Sequence, residues 1–298
     1  MEVSWQSLRE QTGALTASLK QLGLEMGDRA VAYLPNIPET AVALLSVSSC
    51  GAIWSMASPD MGIASVLDRF HQIEPKILFT IDGYRYNGKD YDRREVVVDL
   101  VKQLPSIETV IFIPYLHASN ELDLSSVRKG KPPPVVSFAE IISTPAKPDF
   151  TPVPFAHPLW IVYSSGTTGR PKGIKSPLPD MPLGTTSPGP AVLGETLFGL
   201  TDGAVYLSPA PLYHSAPLKF TMACHRLGTS VVVMERFDPE EALAAIETHR
   251  VTTSQWVPTM FVRMLKLPEE VRHRHDLSTL GVAIHAAAPC PVEVKHRM

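Results

Sequence analysis

Residues Ser164-Ser165-Gly166-Thr167-Thr168-Gly169-Arg170-Pro171-Lys172-Gly173 crowd hydroxyls, glycines and a lysine into one short run. Glycine lets backbone N–H groups converge on an anion, hydroxyls add donors, and lysine supplies a mobile positive charge. The chemistry this suits is the cradling of a polyphosphate. It is not a Walker A loop, which requires G-x-x-x-x-G-K-[ST]; counting from Gly166 puts Pro171 where the second glycine belongs. Pro171 also argues against a helix starting at Lys172 to offer its dipole. The alternative is an ordinary flexible Gly/Thr turn.

Other residues that could do chemistry are scattered. His214 stands in the proline-rich loop Pro209–Ser215, either lining a substrate or fixing the loop by a hydrogen bond. His273 and His275 flank Arg274 and read as solvated helix-end residues rather than metal ligands. His285, between apolar neighbours, reads as a satisfied core histidine. Trp54 and Trp256 read as pocket wall or as core, and Lys175 as an exposed residue just past the loop. No Gly-x-Ser-x-Gly elbow occurs, so nothing anchors a serine hydrolase. No metal ligands are expected, and no residue of the chain is assigned a catalytic role.

The elements that must position these groups alternate between helical and strand periods. Trp5, Leu8, Leu15, Leu19 and Leu22 recur at multiples of three to four, closed by Gly23 where a helix C-cap glycine would stand. Arg29–Leu34 reads as a strand, Pro38–Cys50 as a helix with proline near its first turn, Ile53–Met56 as a strand and Ile63–Ile73 as a helix. Lys76–Ile81 and Val110–Ile113 are near-continuous apolar runs, the mark of strands covered on both faces; the helix Arg94–Leu104 separates them. Periodicity fades from Leu116 to Pro154, where prolines stiffen a connector, and again from Gly166 to about Pro190. Strands are then expected at Ala204–Leu207, Ser230–Met234, Thr253–Val257 and Val282–Ala287, with helices at Leu218–Leu227, Pro239–His249 and Thr259–Leu267. The expected fold is α/β, with mostly parallel sheets covered by helices.

Composition removes several classes of function. Of 298 residues 44% are hydrophobic and 19% charged, enough apolar side chain for a core and too much for a disordered tail. A net charge of -3 offers no basic excess, so neither nucleic acid nor anionic lipid is an expected partner. Cys50, Cys224 and Cys290 share no metal-site spacing and are odd in number, which favours a reducing compartment. The N-terminus lacks a signal-peptide pattern. The apolar stretch Ala41–Ala57, broken by serines and a glycine, falls short of the ~20 residues a spanning helix needs. A cytoplasmic protein with no stable membrane insertion is expected, its oligomeric state open.

The string Tyr163–Gly173 resembles the phosphate loop of the adenylate-forming (AMP-binding) superfamily, which includes acyl-CoA synthetases. Other segments fit that family's order: Val3–Leu8, Gly27-Asp28-Arg29, Leu34-Pro35-Asn36, and Pro209–Ser215, which is similar to its P-x-[FY]-H segment. Trp256-Val257-Pro258-Thr259 resembles the stretch beside the acyl pocket, and Ala286-Ala287-Ala288-Pro289 the segment that packs on adenine. The resemblance thus implies ATP phosphates at Ser164, Ser165, Gly166, Thr167, Thr168, Gly169 and Lys172. It implies adenine at Ala286, Ala287, Ala288 and Pro289, and the acid at His214, Trp256 and Thr259. The implied activity is ligation: ATP-dependent activation of a carboxylic acid to an acyl-adenylate and then a thioester, with ATP, Mg2+ and coenzyme A. The alternative is a non-catalytic nucleotide- or acyl-binding remnant.

Residues 1 to about 175 look most like acetoacetyl-CoA synthetases, through Ala52–Ser55, Ala57–Asp60, Val66–Phe70 and Tyr86–Lys89. From about 203 onward the chain looks more like bacterial fatty or aromatic acyl-CoA synthetases, through Tyr213-His214, which would place it in fatty acid and lipid metabolism. The implied fold is the large N-terminal domain of the family, incomplete, as two interleaved lobes: about 31–190, and 1–30 with 191–298. The family's aromatic-x-x-Thr-Glu motif, ribose-binding aspartate and C-terminal lid domain with its lysine find no counterpart within the 298 residues.

Overall fold

The apolar runs of the first half form parallel strands in the order the crossovers demand. The computed structural model describes residues 3–86, 88–117, 122–127, 131–154, 157–164, 172–173, 189–285 and 288–298. The chain divides into two units, Met1–Asp180 and Met181–Met298.

In the first unit, α1 (Trp5–Gln21) begins at Ser4, whose hydroxyl accepts the Ser7 N–H at 3.1 Å. There follow β1 (Arg29–Tyr33), α2 (Pro38–Ser49), β2 (Ile53–Ala57), α3 (Ile63–Phe70) and β3 (Ile77–Ile81). A hairpin of β4 (Gly83–Tyr86) and β5 (Lys89–Asp92) leads to α4 (Arg94–Gln103) and β6 (Thr109–Ile113). The unit closes with β7 (Val135–Ser137), α5 (Phe138–Ile142), β8 (Tyr163–Ser164) and β9 (Lys172–Gly173). The main sheet has the order β2-β1-β3-β6-β7, parallel throughout. Its strands are buried on both faces, as the continuous apolar runs require. Val31, Leu78 and Val110 share one face by register, and with Val66 and Phe70 of α3 and Val97, Leu100 and Val101 of α4 they make its core. The strand order reverses at β1, so the loops after β1 and β3 diverge there.

Strands β4, β5 and β7 and helix α5 are absent from the sequence pattern. The β4–β5 hairpin hangs on Asp82, a carboxylate 2% exposed that accepts backbone N–H groups from Tyr115, Leu116 and His117 at 2.7–3.0 Å. Gly83 must be glycine because a Cβ there would sit 2.3 Å from the Tyr91 carbonyl oxygen. Within the proline-rich connector, β7 pairs with β6, and Ser137 caps α5. The sequence reading groups residues 1–30 with 191–298. In the structure α1 instead packs on α2 and α5, inside the first unit.

The second unit runs α6 (Gly189–Phe198), β10 (Val205–Ser208), α7 (Ser215–Leu227), β11 (Ser230–Val233), α8 (Pro239–His249) and β12 (Thr253–Trp256). It ends with α9 (Pro258–Leu265), α10 (Glu269–Arg272), β13 (Val282–His285) and α11 (Val292–Arg297). The sheet order is β11-β10-β12-β13, again parallel. Helix α7 starts three residues earlier than its apolar pattern because Pro217 is tolerated in a first turn; it ends at Gly228, in the left-handed region at φ 74. Asp238 caps α8 by accepting from Glu240 and Glu241 N–H at 3.0 and 3.1 Å. Leu207 and Trp256 face α8 and α9, whereas Tyr206 faces α7. No helix is long and apolar enough to cross a membrane among the described residues.

Burial on α7 pushes the His225 imidazole down to about 4. With the folded value below the ordinary 6.5, its contribution to stability is full above about pH 6.5 and is lost as pH falls toward 4. The ring keeps partial exposure, so the loss should be roughly 2 kcal/mol, below the 1.4 kcal/mol-per-unit limit. Urea denaturation between pH 7 and 4.5 should show this acid limb in the wild type and a flatter one in His225→Leu; equal limbs would assign the loss elsewhere.

Candidate functional site

The chain leading to the polyphosphate candidate is tied to the first sheet by an isolated bridge at Trp160. Trp54 of β2 bridges Trp160 in parallel: its N–H donates to the Leu159 carbonyl at 3.1 Å, and its carbonyl accepts from Ile161 N–H at 2.7 Å. The Ser55 hydroxyl adds a bond to the Ile161 carbonyl at 2.8 Å. The chain then turns as an antiparallel pair, with Tyr163 opposite Gly173 and Ser164 opposite Lys172. Ser165, Gly166, Thr167, Thr168 and Gly169 lie between these two short strands, outside the described residues, as does Lys175. Ser164 and Lys172 are therefore register partners in a short antiparallel pair.

Tyr163 anchors that pair. Its phenol donates to the Arg69 carbonyl in the last turn of α3 at 2.6 Å, and the Arg69 guanidinium lies 5.8 Å from the ring centre. Burial raises the phenol to about 12, so it is a donor at any physiological pH. Removing the hydroxyl in Tyr163→Phe should cost about 1 kcal/mol, read by chemical denaturation; no change would mean water replaces the bond without loss.

The candidates of the second unit are all at or near the carboxyl ends of its strands, where open parallel sheets bind ligands. His214 is the N-cap residue of α7, exposed at the surface, with its ring 4.4 Å from that of Tyr213. Partial desolvation lowers its pKa, keeping the imidazole neutral at pH 7. Thr259, in the first turn of α9, is exposed. Trp256 is not at the surface: it is 2% exposed and packs between Phe237 at 6.3 Å and Phe261 at 6.0 Å. Its side chain belongs to the core between sheet and α8/α9, a correction to the acid-lining role, because strand alternation turns residue 256 inward. Trp54 is likewise core, 1% exposed.

Ala288 and Pro289 are exposed just beyond β13, while Ala286 and Ala287 lie outside the described residues. His285, beside Trp256 in register and edge-on to Phe261 at 6.5 Å, leaves Nδ1 buried without a partner, so it is not the satisfied core histidine of the sequence reading. Nor is His275 solvated: its Nδ1 lies 2.8 Å from Glu247, which holds that carboxyl below its usual range, and its side chain is 14% exposed. His273 is exposed as expected. Three or more potential metal ligands do not cluster anywhere among the described residues.

Sequence reasoning overlooks the polar residues beneath α7. Ser208 ends β10, Gln255 is its lateral neighbour on β12, and Thr221 lies on the buried stripe of α7. The signal available was a serine at the inward end of an otherwise apolar strand.

The chain is 40% identical over 178 residues to the acetoacetyl-CoA synthetase of Gallus gallus, covering 58% of this chain and 26% of that protein. It is 41% identical over 174 residues to the acetoacetyl-coenzyme A synthetase of Rhizobium meliloti (strain 1021), covering 58% and 26%. The solved acetoacetyl-CoA synthetase from Streptomyces lividans superposes with a TM-score of 0.82 at 32% identity, covering 99% of this chain and 44% of that one. The chain thus spans less than half the length of these relatives. The model of the AMP-binding enzyme family matches residues 1–298, and the chain belongs to that family.

Proposed function

We propose that this chain provides the nucleotide cradle and part of the acid pocket of an AMP-forming acid–CoA ligase. The observation that carries the reading is the antiparallel pair of Tyr163–Ser164 with Lys172–Gly173. Between these two paired strands the sequence carries Ser165, Gly166, Thr167, Thr168 and Gly169, the residue types that suit an anion. In this reading Ser164, Ser165, Gly166, Thr167, Thr168, Gly169 and Lys172 hold the phosphates of ATP, supplied as its Mg2+ complex. Ala286, Ala287, Ala288 and Pro289 border adenine, and His214 and Thr259 border the acid. The acid's carboxylate attacks the α-phosphate, pyrophosphate leaves, and the acyl group then passes to the thiol of coenzyme A. The protein acts in the cytoplasm on small molecules.

The identities above favour acetoacetate as the acid over a fatty or aromatic one. A second reading is a nucleotide- and acyl-binding chain without turnover. Calorimetry on polypeptide 1–298 tests the shared core of both: MgATP should bind more tightly than AMP. Equal affinities would remove the phosphate cradle, and acid-independent γ-phosphate release would point to an NTPase instead.

A further inference from the structure

The connector between α5 and β8 is pinned along the first unit rather than slack. The Ala146 N–H donates to the Glu10 carbonyl at 3.4 Å, and a Cβ on Gly13 would sit 1.9 Å from the Ala146 carbonyl oxygen, so α1 meets the connector backbone to backbone. The Lys20 ammonium donates to the carbonyl and the carboxylate of Asp149 at 3.1 and 2.7 Å, and the Thr151 N–H donates to the Ser49 carbonyl at 2.8 Å. From His157 onward the pins fall on alternate residues. The His157 Nε2 bonds the Gly51 carbonyl at 2.7 Å. Leu159 and Ile161 bond Trp54 through the backbone, and the Tyr163 phenol donates to the Arg69 carbonyl.

The two side-chain pins stand at the ends of this series and hold fixed acceptors. A carbonyl can only accept, so His157 carries its proton on Nε2. Gly51 sits between α2 and β2 at φ 71, in the left-handed region, and its oxygen also accepts the Gly27 N–H at 3.0 Å. The turn, not the connector, therefore sets where that oxygen points. Arg69 lies in the last turn of α3. Between the two pins the chain has one isolated bridge, Trp54 with Trp160, in place of a ladder. A single bridge specifies register weakly, and a slip of two residues keeps every side chain on its own face. Such a slip would bring Phe155 or Leu159 to Gly51, and neither side chain can donate. Ser164 directly follows the second pin and pairs with Lys172, so the register of 157–163 decides where that pair stands.

We propose that His157 is a positioning residue for the phosphate cradle: with Tyr163 it clamps the entering chain at both ends and thereby sets where Ser164 and Lys172 meet the phosphates of ATP. This rests on the proposed ligase reading, and deepens it by extending the machinery to a side chain outside the Tyr163–Gly173 segment. His157 acts through the backbone it holds and not by contact with the nucleotide.

Calorimetric titration of polypeptide 1–298 with MgATP and with AMP tests the clamp. The wild type should prefer MgATP. His157→Ala should lower that preference about three- to tenfold, with AMP affinity held within about twofold. His157→Gln, whose amide N–H2 can reach the same carbonyl, should restore most of it. Tyr163→Phe should lower the preference by a similar factor. The double variant should lose more than the product of the two single losses, because either pin alone still opposes slippage. A preference untouched by His157→Ala, a glutamine no better than alanine, strictly multiplicative losses, or equal weakening of MgATP and AMP would each overturn the clamp. His157 would then serve only the stability of the α2–β2 turn. A wild type that binds MgATP no better than AMP overturns the ligase reading itself, and the clamp with it.

Discussion

Polypeptide 1–298, purified as it stands, should form acyl-CoA at a small fraction of the rate of the Streptomyces lividans relative, a deficit of several orders of magnitude. Attack of a carboxylate on the α-phosphate needs charge-stabilising groups already in place around the developing transition state. In the proposed reading the segment Tyr163–Gly173 offers one side of that arrangement. The magnesium-side glutamate, ribose aspartate and lid lysine implied by the family resemblance have no counterpart in these 298 residues. Losing one preorganised donor typically costs about 10²–10³ in rate, and water is not excluded without a closing lid. Carboxylate-dependent pyrophosphate exchange measures this. Exchange near the rate of the relative would show that the residues present suffice.

The difference between binding and turnover follows from which parts of the molecule local sequence could reveal. Strands β3 and β6 are legible because five consecutive apolar or β-branched residues can only be satisfied between two helical layers. The pairing of Tyr163–Ser164 with Lys172–Gly173 could be expected from the glycines and Pro171 that the sequence places between them, whereas the phosphate role is an expectation from residue types. The β4–β5 hairpin is not legible, since its residues are polar and exposed and its anchor, Asp82, is held by N–H groups more than thirty residues away. The three-residue β7 is too short to show a period. Trp256 shows the limit of a motif: a matched segment says where the backbone runs, while strand parity decides that the indole turns into the core. Ser208 and Thr221 show the converse. Each is unremarkable alone, and their burial without a hydrogen-bond partner shows only when α7 is laid over the sheet.

The second large effect concerns the phosphate loop itself, the central claim. If the hydroxyls and N–H groups between Ser164 and Lys172 hold the β- and γ-phosphates, removing one charge-assisted contact should cost roughly 1.5–3 kcal/mol toward ATP, or about 10- to 150-fold in affinity. AMP lacks those phosphates and should barely respond. Circular dichroism of Thr167→Ala and Lys172→Ala checks that the fold persists, so that the comparison reads binding. The deciding measurement is calorimetric titration of wild type and both variants with MgATP and with AMP. The account predicts a selective loss of ATP affinity in each variant; equal weakening of ATP and AMP, or none, would contradict it.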